Sequence, residues 1–174
     1  MSELFELPVN QEAPDFTLLD MEGNSHNLHD HLGQIVVLNF WSAECPWSKR
    51  SDEEILQYLN EWKAGVQYLP IASNANESQE IIQEEANARQ LPFMLHDPEQ
   101  RVADLYQAVT TPHIFVIDAD GILRYKGATN DVTFRQPEAT VNYLYNAVEA
   151  LLAGTSPDPA ETPAYGCTIV RAAP

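Results

Sequence analysis

The chain has 174 residues, long enough for one domain with a sizeable core, and its hydrophobic fraction of 44% is ordinary for a globular protein. It carries 26 acidic against 9 basic residues, a formal net charge of −17, which argues against nucleic acid or an anionic membrane as partner because both require a basic face. Two cysteines in this length do not make a disulfide scaffold.

The opening run Met1-Ser2-Glu3-Leu4-Phe5-Glu6 has neither the basic nor the apolar region of a secretory leader. No apolar stretch approaches the length of a membrane span. A cytoplasmic protein in a reducing compartment is therefore expected. Leu18 to Ser25 reads as strand, turn, strand, with Gly23-Asn24 at the turn. His26, His29 and His31 cluster just beyond it. No cysteine accompanies them, so a polar turn is expected and no metal. Ile35 to Phe40 is a short apolar run, interrupted at Asn39, that suits a central strand covered on both faces.

Cys45 follows that strand, with Pro46 behind it. Proline fits the first helical position, where its missing N–H is no loss. Cys45 thus stands at a helix start, where unpaired N–H groups and partial positive charge favour thiolate over thiol. A thiol near pKa 8.5 is only about 3% ionised at pH 7, one near pKa 6 about 90%. From Trp47 to Trp62 the apolar positions fall on a helical period, and Gly65 ends that helix. Glu44 is expected to point to solvent, and Lys49 and Arg50 to be solvated helix charges.

Val66 to Ala72 is the next strand, demoted at its end by Pro70. Ser78 is a plausible N-cap for a helix through Arg89. Phe93 to Leu95 reads as a short strand and Asp97 to Ala108 as a helix. Ile114–Ile117 and Leu123–Lys126 flank a turn and make a β-hairpin. His113 is a candidate acid or base, with a structural role the better reading. Thr140 to Ala153 is the last helix, stopped by Gly154. Residues 1–154 are read as one domain. Residues 155–174 are proline-rich, polar and without periodicity, an extended tail that is partly ordered at most. Strands alternating with helices indicate an α/β protein, with a central mixed β-sheet and helices on both faces.

Three segments resemble the thioredoxin-fold redoxins, the group of the thiol-disulfide oxidoreductases and the alkyl hydroperoxide reductase/thiol-specific antioxidant (peroxiredoxin-like) proteins. They are Ala13-Pro14-Asp15-Phe16, the run Asn39-Phe40-Trp41 with Cys45-Pro46, and Thr110-Thr111-Pro112 with the strand behind it. The resemblance implies a thioredoxin-like fold with an N-terminal β-hairpin extension. It also implies a nucleophilic Cys45 and a cis-proline loop at Thr111-Pro112 that faces the cysteine. Trp41, Pro46, Trp47, Thr111 and Pro112 are then the substrate-binding candidates, and no cofactor is expected.

Two departures matter. Ser48 stands where a dithiol motif has its second cysteine, so no local resolving thiol exists; its hydroxyl either donates to the Cys45 thiolate or is a plain helix hydroxyl. Ser42 lies three residues before Cys45, as a peroxiredoxin hydroxyl does, but Leu38 replaces the proline of that family. Cys167, in Gly166-Cys167-Thr168-Ile169, resembles a tail cysteine of certain redoxins. It is either a resolving thiol, within reach of Cys45, or an unpaired exposed one. The first function expected is peroxiredoxin-like reduction of peroxides. The alternatives are a monothiol disulfide reductase or isomerase, and a redox-inert binding module. The partners expected are a peroxide or a protein or low-molecular-weight disulfide, an external thiol reductant, and a second copy of the chain in a homodimer.

Overall fold

The computed structural model describes residues 7–173. Its centre is β3 (Ile35–Trp41), whose seven residues are all buried. Alternate side chains enter two cores. Ile35, Val37 and Trp41 face one core, and Val36, Leu38 and Phe40 face the other. The one polar residue of the run, Asn39, is accommodated because its Nδ2 donates to the Tyr68 hydroxyl at 2.9 Å.

Around β3 lie β4 (Val66–Ala72), parallel to it, and β7 (His113–Ile117), antiparallel. β5 (Leu95–His96) runs parallel to β4, and β8 (Leu123–Gly127) closes a hairpin with β7. The predicted N-terminal hairpin is present as β1 (Thr17–Asp20) and β2 (Ser25–Asn27), joined to the sheet through β5. The strand order is β2-β1-β5-β4-β3-β7-β8.

Helices α1 (Pro46–Trp62), α2 (Gln79–Ala88) and α4 (Tyr143–Leu152) pack Ile55, Ile82, Leu144 and Val148 on one face. On the other face sits α3 (Arg101–Leu105) with Val102 and Ala103, joined by Phe16, Leu28 and Tyr106. Helices therefore cover both faces of a mixed sheet, as the sequence predicts. Ser78 is the N-cap of α2, its hydroxyl accepting from the Ile81 N–H.

Several boundaries differ from expectation. Pro70 does not interrupt β4. The neighbouring β5 pairs only at Ile71 and Ala72, so at Pro70 the strand is bonded on its β3 side alone and a missing N–H is tolerated. The strand expected over residues 93–95 is Leu95–His96. The helix expected from Asp97 shrinks to five residues. The Asp97 carboxylate accepts from the Ser73 hydroxyl and the N–H groups of Val102 and Ala103, so Asp97 caps the helix from outside. Gln100 and Gln107 stand at φ 56° and 55°, which brackets the helical turn. The last helix begins at Tyr143, because residues before it wrap the Asp131 carboxylate, which accepts from Gln136 Nε2 and from the Thr140 and Val141 N–H groups.

The tail is the largest correction. Among the described residues it is extended but fastened at several points, where partial order at most was expected. Lys126 N–H donates to Ala160 O, and Thr162 N–H donates to Lys126 O. A Cβ placed on Gly127 would lie 2.2 Å from Thr162 Oγ1, so glycine is what allows this approach. Further on, β9 (Cys167–Thr168) pairs antiparallel with β6 (Thr110–Thr111), and Ile169 is buried. Ile169 N–H donates to Val109 O, Ala75 N–H to Val170 O, and Arg171 to Ala108 O and Asp104. The end of the chain is thus a strap across the sheet ends that hold the cysteine.

Candidate active site

Cys45 is the N-cap of α1, with Pro46 in the first helical turn. It follows the C-terminal end of β3, where open α/β sheets place their sites. Its side chain is buried, at 3% exposure. Cys45 Sγ lies 3.2 Å from Thr111 O, the carbonyl just before the cis Thr111-Pro112 bond. The cis-proline loop therefore faces the cysteine, as expected.

Cys167 stands at the same place. In the β6–β9 ladder Cys167 is the register partner of Thr111, the residue that contacts Cys45. Burial alone would push the Cys45 thiol up. Hydrogen bonds from the Cys167 thiol, from Thr111 and from the backbone N–H groups of Ser48 and Cys167 outweigh it and hold Cys45 below the ordinary thiol value. Cys167 moves the opposite way. Burial, the bond to Cys45, the Cys45 charge and the Glu77 charge push it up to about 12. The two shifts run in opposite directions, so of the two thiols Cys45 is the one that ionises first. Neither cysteine is in a disulfide.

The other predicted residues divide. Ser48 is fully buried, and its Oγ accepts from the Ser42 N–H at 3.2 Å, so its hydroxyl braces the loop while its backbone N–H serves the sulfur. Ser42 is a correction: its hydroxyl donates to Glu77 Oε2 at 2.5 Å, not to Cys45. Trp41 is a second correction. It is fully buried, its Nε1 donates to Asp52 Oδ2 at 2.8 Å, and the Arg89 guanidinium lies 4.9 Å from its ring centroid, so it braces the core and cannot touch a substrate. Pro46 is exposed. Trp47 is half-buried, packed edge-on against Tyr165 at 5.1 Å, and lines a small cavity with Pro112 and Thr129. Glu44 is exposed, as expected.

His113 is structural. Its Nδ1 accepts from the Val109 N–H, and burial together with the Lys126 charge lowers it to about 4. His26 pairs with Asp20 at 2.8 Å and His29 lies 3.6 Å from Asp15. No metal-ligating cluster forms among the described residues.

Two residues escape the sequence reading. Glu77, buried, accepts from the Ser42 hydroxyl, from the N–H groups of Ala43 and Glu44, and from Asn74 Nδ2. Arg89 donates to Asp52 and to the carbonyls of Ser42 and Ala43. A carboxylate and a guanidinium thus grip the loop that presents Cys45 from its N–H and its C=O sides. The Asp52 carboxyl is pushed up to about 6 by burial, against its bonds from Trp41 and Arg89. The position of Glu77, between the end of β4 and the start of α2, is a usable signal because such crevices collect functional groups. Nothing local marks Arg89.

Comparison with known proteins bears on the family and the fold. The model of the AhpC/TSA family matches residues 9–126. Thiol-disulfide oxidoreductase ResA of Geobacillus kaustophilus is 32% identical over 126 residues, covering 69% of this chain and 69% of that protein. A hypothetical protein of Sinorhizobium meliloti superposes with a TM-score of 0.88 at 27% identity, over 98% of each chain, so the likeness takes in the tail. The thioredoxin domain of a thiol-disulfide oxidoreductase from Bacteroides vulgatus shares the fold, with a TM-score of 0.67 at 24% identity over 84% of this chain and 99% of that one. The chain belongs to the AhpC/TSA family, as a thioredoxin-like oxidoreductase related to the thiol-disulfide oxidoreductases.

Proposed function

We propose that this protein reduces or exchanges disulfides through Cys45, with Cys167 as the resolving thiol. The observation that carries this reading is the β6–β9 pairing, which sets Cys167 opposite the residue that Cys45 contacts. The Cys45 thiolate attacks one sulfur of a substrate disulfide. A Cys45–substrate mixed disulfide forms, and the other half leaves as a thiolate that takes a proton from solvent. Cys167 then loses its proton and attacks Cys45 Sγ. The Cys45–Cys167 disulfide forms and the second half of the substrate leaves as a thiol. An external thiol reductant returns both cysteines to the reduced state.

Peroxide reduction is the weaker reading. Ser42 gives its hydroxyl to Glu77, and Leu38 stands where peroxiredoxins have proline. Turnover by wild type, Cys45→Ser and Cys167→Ser on a low-molecular-weight disulfide and on hydrogen peroxide separates the two. The expected result is faster disulfide turnover, none by Cys45→Ser, and by Cys167→Ser a single round that stops at the mixed disulfide. Peroxide consumed faster than disulfide would overturn the reading.

A further inference from the structure

With the strap docked, both cysteines line one shallow cleft of about 140 Å³. Its walls include Ser42, Asn74, Glu44 and Glu77 beside the two cysteines, and no lysine or arginine lines it. The four groups that bond the Glu77 carboxyl are a hydroxyl, two backbone N–H groups and a side-chain amide, all neutral. Glu44 is exposed at the rim, one residue before the nucleophile. Neither glutamate forms an ion pair among the described residues. Three arginines of the neighbouring elements are bound elsewhere. Arg89 is bound to Asp52 and the loop carbonyls, Arg171 to Asp104, and Arg50 to the Pro137 carbonyl.

A cleft lined by charge of one sign concentrates ligands of the opposite sign and repels its own. The effect is strongest for the carboxylate with little water around it. The volume is sufficient for the reacting end of a small disulfide. We infer that Cys45 takes small cationic or neutral disulfides and discriminates against anionic ones, with Glu44 and Glu77 as the residues that set this selectivity. The inference rests on the reading of Cys45 as the nucleophile, and deepens it by naming the substrate class.

The test uses the full chain and three small disulfides: cystamine (cationic), bis(2-hydroxyethyl) disulfide (neutral) and 3,3′-dithiodipropionate (anionic). Loss of the Cys45 thiol is followed by mass spectrometry after acid quench. Each rate is divided by that of 2-mercaptoethanol with the same disulfide and salt, which removes intrinsic reactivity. At low ionic strength cystamine should lead dithiodipropionate by about tenfold or more, and the ratio should collapse in about 1 M salt. Glu44→Lys should cut the ratio several-fold, as should Glu77→Gln. A ratio near one would overturn the inference. So would a ratio that Glu44→Lys leaves unchanged, because the selectivity would then belong to the net charge of −17 and not to the cleft. Iodoacetamide, small and neutral, reports the nucleophile separately. If it modifies Cys45 no faster than an unfolded control, the underlying reading of Cys45 fails. If it modifies Cys45 quickly and the three disulfides react alike, the charge selectivity alone fails.

Discussion

Cys45 owes its character to donors, not to exposure. A buried thiol resists ionisation, and here the helix start and the Cys167 thiol oppose that preference. His113 shows burial without such compensation. Its ring accepts the Val109 N–H and is held neutral down to about pH 4. The unfolded chain takes up that proton near the ordinary value of 6.5. Between the two values the unfolded state binds more protons, so stability falls as pH falls through this window. The contribution amounts to about 3 kcal/mol when complete. His113→Asn keeps an acceptor near the Nδ1 position without a titrating group. It should lose about 3 kcal/mol less than wild type in urea unfolding between about pH 7 and pH 4. Parallel pH profiles for the two proteins would contradict this account of His113.

At the scale of elements, the strand-to-helix junction was legible because its signals are local: an apolar run, then Cys45-Pro46 at a helix start. The strap was not. It is held by single backbone bonds and by isolated contacts such as Ile169, none of which leaves a periodic pattern. The extent of β4 was misread at Pro70 because the relevant fact, that β5 starts opposite Ile71, lies in another segment. The strap also yields a prediction. A Cβ on Gly166 would meet Thr111 O at 2.0 Å, and the backbone cannot yield without parting β9 from β6. Gly166→Ala should therefore loosen the strap while the core folds normally. Modification of Cys45 by a bulky maleimide should quicken by about tenfold, as expected for about 1.4 kcal/mol of lost docking. Formation of the Cys45–Cys167 disulfide should slow. Unchanged rates for both would mean that Gly166 does not fasten the strap.

For the whole molecule, the sheet, its mixed strand directions and the helices on both faces follow from the alternation of apolar strands and amphipathic helices. The tertiary grip on the active loop does not follow, because Glu77 and Arg89 reach it from 33 or more residues away in the chain. The same holds for the meeting of the two cysteines: the length of the tail permits it, and only the β6–β9 register brings it about. That meeting is also the central functional claim, and one measurement tests it directly. The reduced protein is treated with one equivalent of bis(2-hydroxyethyl) disulfide, quenched in acid, digested and mapped by mass spectrometry, with non-reducing electrophoresis alongside. The account predicts a single disulfide, Cys45–Cys167, within one chain, and full release of 2-mercaptoethanol. A lasting mixed disulfide on Cys45 with Cys167 still reduced would contradict it.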